Sequence, residues 1–334
     1  MRIGIIGLGR IGALHAATLC GLPGVDSVVV TDSAPAAVER VRATLDVETV
    51  ATPGEMLTGK IDGVVIAAAT AAHPELIVAA AEAGVPVFCE KPVAATVREA
   101  VAVEQRVRGT GVPVQIGFNR RFDPGVVEAR RAVHAGELGH LHTVRSMTMD
   151  PAPPSAAYLA ASGGIFRDCA VHDFDIIRHV SGREVITAYA AGGASVAAAD
   201  DVGTAAALLT LDDGTLAVVT NTRFNGAGHD VRLELHGSRG SVAAGWDERV
   251  PMRSAESGVS FPSGTPYRFF LDRFAAVYRA ELAAFTEVAA GSRPSPCTIA
   301  DGVEAAWIAE ACTLSMREHR PVLIEGLRRP GAAP

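Results

Sequence analysis

The amino-acid sequence predicts two domains of different class. The first is an N-terminal α/β domain with a doubly wound parallel sheet, and the second is a C-terminal α+β domain with an open, mainly antiparallel sheet. The chain has 334 residues, enough for two domains of about 150 residues each. Its first third alternates apolar strand-like runs with helical segments, whereas strand-like runs follow one another beyond residue 120. We place the domains at residues 1–119 and 120–326, followed by a flexible tail at 327–334.

Five apolar runs of the first domain are interpreted as buried parallel strands, with helices between them. The strands are predicted at residues 2–7, 25–32, 62–69, 85–89 and 112–118. Helices are predicted at 10–21, 34–45 and 74–83, and a fourth begins at Thr96. Gly21 and Gly84 end two of these helices, while Thr96 and Glu99 form a capping box that starts another.

The second domain begins with a predicted helix at residues 123–134 and continues with strands. These strands are predicted at 141–149, 186–191, 204–211, 215–222 and 231–235. Asp213-Gly214 is a hairpin turn signal between two of them, which favours antiparallel pairing. Two long helices are predicted near the end, at 269–290 and 299–319.

Composition excludes several classes of protein. Hydrophobic residues make up 49% and charged residues 20%, a globular balance, and no apolar run approaches the ~18 residues of a membrane span. Met1 leads directly into a strand pattern without a basic region, so we expect no secretory signal. Five widely spaced cysteines predict neither a disulfide framework nor a metal site and fit a cytoplasmic location. A net charge of −7 argues against nucleic acid as a partner.

A glycine motif marks a nucleotide site after the first strand. Gly7-Leu8-Gly9-Arg10-Ile11-Gly12 lies between the first strand and the first helix. Gly7 allows a tight turn, Gly9 lets the backbone approach a pyrophosphate, and Gly12 lets the helix pack closely on the sheet. The N-terminus of the helix offers N–H groups to phosphates. This context predicts a Rossmann dinucleotide-binding domain.

Asp32 ends the second strand, twenty residues after Gly12. A carboxylate at this position accepts hydrogen bonds from adenosine ribose hydroxyls and repels a 2′-phosphate. Ser33 and Ala34 follow, so neither neighbour is an Arg or Lys that would receive that phosphate. The sequence therefore predicts NAD as the cofactor. The alternative, that Asp32 serves only as a helix N-cap, is compatible with this role.

Two further groups of polar residues are candidates for chemistry. Glu90-Lys91-Pro92 follows a strand of the parallel sheet, at the carboxyl edge where ligands bind, and a Lys-Pro bond can be cis and fix the direction of the lysine. Asp168 and His172 are four residues apart in a predicted helix, so a carboxylate could orient an imidazole there. The alternatives are a solvated lysine and an ordinary pair on a helix surface.

Taken together, these motifs carry a resemblance over essentially the whole chain. Besides the glycine motif, the carriers are Cys89-Glu90-Lys91-Pro92, Gly117-Phe118-Asn119-Arg120-Arg121-Phe122-Asp123, Asp150-Pro151-Ala152-Pro153-Pro154, and Ser162-Gly163-Gly164-Ile165-Phe166-Arg167-Asp168 with His172-Asp173-Phe174-Asp175. The chain resembles the glucose-fructose oxidoreductase / inositol dehydrogenase / rhizopine catabolism superfamily, and within it the inositol 2-dehydrogenases.

The resemblance implies a role for each matching residue. Lys91 would contact the reacting hydroxyl, and Asp168 and His172 would lie over the nicotinamide, with His172 as general base. The remaining candidates fall into cofactor-binding and substrate-binding sets. The cofactor set is Gly7, Gly9, Arg10, Ile11, Gly12, Asp32, Thr70, His73, Glu90 and Lys91, and the substrate set is Asn119, Arg120, Asp150 and His229. Asp175 and Arg178 are expected to be structural.

Two positions depart from the pattern of the family. His229 stands where the family commonly has an aromatic residue, usually Tyr, and Asn119 stands where inositol enzymes often have Met. If these side chains contact substrate, the preferred ring shape or stereochemistry differs. The resemblance also implies a homodimer or homotetramer that assembles through the C-terminal sheet.

We therefore expect an NAD-dependent dehydrogenase that moves a hydride from a ring secondary hydroxyl of myo- or scyllo-inositol to NAD, giving an inosose. A histidine base suits the loss of the hydroxyl proton, because its ordinary pKa lies near working pH. The alternatives are a catabolic or biosynthetic dehydrogenase of another cyclitol, sugar or glycoside, an NAD-dependent glycosidase, and a non-catalytic NAD sensor.

Overall fold

A computed structural model describes residues 1–195 and 201–328 of the chain. The chain divides into two compact units. The first unit comprises Met1–Asn119 and Ala276–Glu304, and the second comprises Arg120–Ala275 and Ala305–Pro334. Both predicted classes of sheet are present, which confirms the predicted combination of an α/β and an α+β domain.

The first unit is built on a six-stranded sheet in which every pairing is parallel. Its strands are β1 (Arg2–Ile6), β2 (Ser27–Thr31), β3 (Glu48–Thr49), β4 (Gly63–Ile66), β5 (Val87–Glu90) and β6 (Val114–Gly117). Their order is β3-β2-β1-β4-β5-β6. The direction of winding therefore reverses between β1 and β4. In open α/β sheets, ligands bind beyond the carboxyl ends of the strands at such a reversal.

Helices connect these strands and begin where the sequence provides starting signals. They are α1 (Arg10–Cys20), α2 (Pro35–Arg42), α3 (Pro53–Thr58), α4 (His73–Glu82) and α5 (Val97–Arg108). Thr96 and Glu99 form the predicted capping box of α5. The short α3 and the two-residue β3 were not among the predicted elements. A 3-10 turn at Thr70–Ala72 leads directly into α4.

One prediction about domain boundaries has to be corrected. Residues 276–304 were placed in the second domain, but they belong to the first unit. The reason lies in α9 (Phe270–Ala289), because Leu282, Phe285 and Val288 lie in the same buried cluster as Ile3 and other residues of the first sheet. Periodicity predicts the helix, but it does not say which sheet the apolar face covers.

The second unit contains a seven-stranded sheet that is mostly antiparallel. Its strands are β7 (Leu141–Met149), β8 (Val185–Ser195), β9 (Val202–Leu211), β10 (Leu216–Thr222), β11 (Asp230–Gly237), β12 (Ser241–Ala244) and β13 (Val322–Leu323). Their order is β12-β11-β7-β10-β9-β8-β13. Among the described strands of this second sheet, only β7 and β10 pair in parallel. The sheet is thus open and mainly antiparallel, as predicted.

Several helices complete the second unit. They are α6 (Pro124–His134), α7 (Ala156–Ser162), α8 (Val171–Ser181), the later part of α10 (Ile299–Glu318), and α11 (Ile324–Arg328). A π-helical turn at Phe166–Ala170 runs directly into α8. The segment predicted to carry Asp168 and His172 is therefore helical, although its first part is not a regular α-helix. Residues 329–334 of the predicted tail lie outside the described residues.

One face of the second sheet carries exposed apolar side chains. Tyr189, Leu208 and Val218 are neighbours across β8, β9 and β10, and they are 43%, 45% and 37% exposed. On the opposite face, Leu209 and Val219 are completely buried. Within the described part of the chain, none of the helices is long and apolar enough to cross a membrane.

Candidate active site

The glycine loop between β1 and α1 has the shape that a bound pyrophosphate requires. Gly7 has a φ of 94°, and a side chain there would approach the backbone nitrogen of Ala68 to 2.5 Å. At Gly12 a side chain would collide with the carbonyl oxygen of Gly7. Gly9 differs, because a Cβ built on it meets no described atom within 4 Å. Space is therefore left beside Gly9, at the N-terminus of α1, where N–H groups attract phosphate.

Asp32 is fixed at the end of β2 by two backbone N–H groups. Leu8 in the glycine loop donates to Oδ2 at 2.6 Å, and Ala34 donates to Oδ1 at 2.7 Å. The N-cap of α2 is Ala34, so Asp32 precedes the cap position named in the alternative interpretation. Each carboxylate oxygen retains acceptor capacity for a ribose hydroxyl. The loop and the carboxylate together fit a dinucleotide without a 2′-phosphate.

The segment after β5 places Lys91 at the carboxyl end of the first sheet. The Lys91-Pro92 peptide bond is cis, as the sequence allowed. Immediately beyond it, the carbonyl oxygen of Pro92 lies 2.7 Å from Nδ1 of His73. Nε2 of His73 lies 3.1 Å from the carbonyl oxygen of Ala68. The His73 ring therefore links the loop after β4 to the Lys91 segment.

These contacts change the interpretation of His73. Its side chain is 1% exposed, and both ring nitrogens already face backbone carbonyl oxygens. No polar atom of the ring is left for a cofactor, so His73 is assigned to positioning the loop. Thr70, predicted beside it, begins the 3-10 turn and is partly exposed.

Glu90 is also engaged from within the first unit. Its Oε1 lies 2.7 Å from Nε2 of His15, which is completely buried. The rings of Phe88 and Tyr278 contact His15 edge-on, at centroid distances of 5.6 and 5.8 Å. His15 is therefore a core histidine that holds the residue preceding Lys91.

The second unit holds Asp168 by contacts that the sequence did not predict. Tyr158 donates its hydroxyl to Oδ1 of Asp168 at 2.8 Å, and Arg223 donates to Oδ2 at 3.0 Å. Burial raises the pKa of Tyr158, and the charge of Asp168 raises it further. Tyr158 therefore stays protonated and acts as a donor. The turn in which Asp168 lies is π-helical, a geometry frequent at functional sites.

Asp150 and His229 form a second pair of carboxylate and imidazole in the same unit. Nδ1 of His229 lies 3.1 Å from Oδ1 of Asp150, and the His229 side chain is 3% exposed. The ring of Phe274 packs edge-on against His229 at 6.0 Å. Cys169, the residue after Asp168, places Sγ 3.7 Å from Oδ2 of Asp150. The structure thus brings Asp150, His229 and Asp168 into one polar cluster, joined by Cys169.

Arg120 lies in a different and more deeply buried network. Its Nη1 donates to Oδ1 of Asp173 at 3.0 Å, and Asp173 is completely buried. Ser146, Thr148 and Asn221 also donate to this carboxylate, at 2.6, 2.8 and 2.8 Å. The guanidinium of Arg120 already compensates the buried charge of Asp173, so only its remaining N–H groups could contact a substrate.

The remaining predicted residues have simpler environments. Asn119 is 3% exposed. Asp175, expected to be structural, is completely buried and accepts from the guanidinium of Arg121. Arg178 donates to Glu184 at 2.7 Å. Among residues 1–195 and 201–328, no group of three or more His, Cys, Asp or Glu side chains is arranged to hold a metal ion.

Comparison with known families accounts for most of the chain. Residues 1–118 match the model of an oxidoreductase family with an NAD-binding Rossmann fold. Residues 126–243 match the model of the GFO/IDH/MocA C-terminal domain. The first match confirms the predicted cofactor, and the two together confirm the superfamily that the motifs resemble.

Individual relatives are similar over almost their whole lengths. A myo-inositol dehydrogenase, Hyg17, from Streptomyces leeuwenhoekii is 37% identical over 89% of this chain and 90% of its own. The NAD⁺-dependent scyllo-inositol 2-dehydrogenase of Bacillus subtilis is 34% identical over 97% of this chain and 96% of its own. A crystal structure of Lactobacillus casei scyllo-inositol dehydrogenase with NAD(H) and scyllo-inositol has a TM-score of 0.87 and 28% identity, covering 97% of this chain and 99% of that one.

Proposed function

The chain belongs to the GFO/IDH/MocA oxidoreductase family, and from this premise we propose that it oxidises a ring secondary hydroxyl of an inositol with NAD. The chain is an NAD-dependent dehydrogenase acting on CH–OH groups. The proposed substrate is myo- or scyllo-inositol, and the product is an inosose. The relatives named for these two isomers are similarly close in sequence, which supports an inositol without choosing between them.

One structural observation carries the proposal beyond family membership. In the second unit, Sγ of Cys169 contacts Asp168 and Asp150, and His229 is bonded to Asp150. The first unit presents an open glycine loop and the fixed carboxylate of Asp32. A polyol needs several hydrogen-bonding partners of this kind, because each of its hydroxyls loses water on binding. A dinucleotide needs the loop and the carboxylate.

The chemistry is divided among residues of this chain. The glycine loop and Asp32 would hold NAD, which would supply the acceptor for the hydride that leaves the carbinol carbon. His172 takes the hydroxyl proton on a ring nitrogen, and the carbon–oxygen bond becomes a carbonyl. Lys91 stabilises the negative charge that develops on that oxygen. Asp168 orients the imidazole of His172 and favours its protonated form after transfer.

Binding residues are proposed on the same basis. Gly7, Gly9, Gly12 and the first turn of α1, which includes Arg10 and Ile11, hold the pyrophosphate, and Asp32 accepts from the adenosine ribose. Thr70, Glu90 and Lys91 complete the nicotinamide side of the cofactor site. Asn119, Arg120, Asp150 and His229 are proposed to contact hydroxyls of the substrate. His229 and Asn119, the two departures from the family pattern, are the positions where preference among cyclitols is set.

We further propose that the protein is a cytoplasmic homodimer or homotetramer. The exposed apolar row of Tyr189, Leu208 and Val218 supports assembly through the second sheet, because a wide antiparallel sheet needs an apolar face covered. All five cysteines are thiols outside any disulfide bond, which suits a reducing compartment. A net charge of −7 supports a small-molecule substrate rather than nucleic acid.

The decisive experiment supplies purified protein with NAD and, separately, myo-inositol, scyllo-inositol, D-chiro-inositol, glucose and an aryl glucoside. NADH absorbance is followed, and NADP replaces NAD in a parallel series. We expect strong turnover with one inositol and little with NADP. His172→Ala is the matched control, since it should lose most turnover while NAD affinity stays near normal.

Other outcomes assign the chain differently. If no inositol yields NADH although NAD binds tightly, inositol is not the substrate, and a modified sugar or another cyclitol takes its place. Cleavage of the aryl glucoside with catalytic NAD and no net NADH would indicate a glycosidase. NAD binding without turnover of any polyol, unaltered by the His172 variant, would indicate a sensor.

A further inference from the structure

Arg223 is the largest of the fully buried side chains, with 1% of its surface exposed. It follows the end of β10, and its backbone N–H donates to the carbonyl oxygen of Gly203 at 2.7 Å. A guanidinium stays charged in any ordinary environment, so its burial requires nearby negative charge. Carboxylates are therefore expected in direct contact with the Arg223 guanidinium.

Two carboxylates supply that charge, one on each side of the guanidinium. Nη1 donates to Oδ2 of Asp168 at 3.0 Å, and Nη2 lies 3.5 Å from Oδ2 of Asp201. Asp201 is itself fixed, because its Oδ1 accepts from the backbone N–H groups of Ile165 and Val202 at 3.2 and 2.8 Å. Asp201 thus ties the start of the Asp168 turn to β9, and Arg223 spans the two acids.

The carboxylate of Asp168 is held at both oxygens by different donors. Tyr158 donates to Oδ1 and Arg223 to Oδ2, so the plane of the carboxylate is set from two sides. Burial on its own lowers the pKa of Arg223, but the neighbouring Cys169, Asp168 and Asp201 raise it overall. The cation therefore persists beside Asp168 across the working pH range.

We propose that Arg223 is a positioning residue that fixes the orientation and the ionised state of Asp168 and moderates the negative charge felt by His172. The proposal rests on the proposed function only in giving His172 the role of base. Asp168 and His172 lie on one continuous helical segment, so the charges around Asp168 act on both. Those charged and titratable groups are Arg223, Asp201, Tyr158, Cys169 and the Asp150–His229 pair.

The proposal predicts the direction in which each substitution shifts the titration of His172, which a packing role alone does not. Positive charge near an imidazole disfavours its protonation, and negative charge favours it. Removing Arg223 should therefore make His172 easier to protonate, whereas removing the charge of Asp201 should make it harder. A residue that only fills space would change stability without displacing the His172 titration in opposite directions.

The test compares Arg223→Met, Arg223→Lys and Asp201→Asn in the full-length protein. The titration of the His172 imidazole is followed by NMR, with the resonance assigned by its absence in His172→Ala. We expect the midpoint to rise by about one pH unit in R223M and to fall in D201N, with R223K close to the wild type. The acid limb of kcat/KM should move in the same directions, with a loss of about a hundredfold in R223M at neutral pH.

Arg178→Met is the matched control, because it removes a mostly buried guanidinium that bonds Glu184 in the same unit. It should lower the melting temperature and leave the His172 midpoint in place. If R223M and D201N behave like this control, Arg223 is structural and the proposal is overturned. If R223M does not fold, D201N and R223K decide: an unmoved midpoint in D201N rejects the proposal.

The NMR readout needs no substrate, so it separates this proposal from the proposed function. A wild-type protein that oxidises an inositol while its Arg223 variants titrate normally would retain the function and lose the positioning role. A protein inactive on every inositol, but with the expected opposite shifts at His172, would retain the positioning role and lose the substrate.

Discussion

The backbone N–H of Leu8 donates a 2.6 Å hydrogen bond to the carboxylate of Asp32. The bond joins the glycine loop to the end of the neighbouring strand β2. The two features that predict the nucleotide site from sequence are therefore one physical unit, since the acid that would receive the ribose also holds the loop that would receive the phosphates. The two roles of Asp32, binding the ribose and holding the glycine loop, can be tested by separate substitutions.

Asp32→Ala removes both the ribose acceptor and the support of the loop. We expect NAD affinity to fall by about ten- to a hundredfold, since a hydrogen bond to a charged group contributes roughly 1.5–3 kcal/mol. Asp32→Asn keeps an acceptor for Leu8 and reduces the repulsion of a 2′-phosphate, so it should lose less NAD affinity and gain some for NADP. Calorimetric titration of both cofactors measures these effects. Equal NAD affinity in all three proteins would leave Asp32 with a structural role alone.

Gly9→Ala should separate cofactor binding from folding. The added methyl group meets no described atom within 4 Å, so the melting temperature without NAD should change by no more than a few degrees. Affinity for NAD should nevertheless fall at least tenfold, because the methyl group occupies the approach of the pyrophosphate. Gly12→Ala is the comparison, since its methyl group collides with Gly7 and should lower stability first. Unchanged NAD affinity in Gly9→Ala would place the phosphates elsewhere.

Tyr158→Phe removes one of the two donors that hold Asp168. We expect kcat to fall about tenfold, the size of a lost hydrogen bond to a charged group, with little change in NAD affinity. Because burial and the charge of Asp168 raise the pKa of Tyr158, the hydroxyl stays protonated and should add no alkaline limb below pH 10 to the wild-type profile. Steady-state kinetics across pH checks both points. A variant with wild-type kcat would show that Arg223 alone suffices to orient Asp168.

His229→Tyr restores the residue that is usual in the resembling family. The imidazole is nearly buried and bonded to Asp150, so the larger phenol must displace this pair or project beyond it. We expect the ratio of kcat/KM between myo- and scyllo-inositol to change by about tenfold, with NAD affinity unchanged. His236→Tyr, at an exposed histidine of β11, the strand that directly follows His229, is the control and should leave the ratio unchanged. An identical ratio in the His229 variant would remove this position from substrate selection.

Leu208→Asp places a charge in the centre of the exposed apolar row on the second sheet. If copies assemble through this face, the variant should sediment as a monomer under conditions where the wild type does not. Val127→Asp, at a 51% exposed site on α6, is the control for an added surface charge and should sediment like the wild type. A Leu208 variant that keeps the assembly state of the wild type would locate the interface on another surface.

The parts of the site that could be predicted from sequence are those whose residues are close along the chain. The glycine loop, the capping box of α5 and the cis Lys91-Pro92 bond each depend on a few adjacent residues. Asp32 is farther along the chain, but it could still be predicted, because a single strand–helix–strand unit fixes its distance from the loop.

The missed residues depend on contacts between distant segments. Arg223 lies 55 residues from Asp168 and reads as an ordinary charged residue after a strand. Tyr158 lies in a short helix that followed a proline-rich stretch and was not predicted. His73 was assigned to the cofactor because of its position after β4, and only the fold shows that both ring nitrogens face carbonyl oxygens. A signal for Arg223 did exist, since a buried strand that ends in an arginine needs an acid elsewhere.

The π-helical turn at Phe166–Ala170 has a consequence for how this segment tolerates insertions and deletions. One additional residue in a helical turn rotates everything after it by about 100° around the axis, relative to an uninterrupted α-helix. Deleting a single residue from the turn should therefore preserve a helix of nearly the same length, yet rotate the residues of α8, His172 included, relative to the chain that precedes the turn. Length variation among homologous sequences should accordingly be suppressed at this turn even where substitutions are accepted.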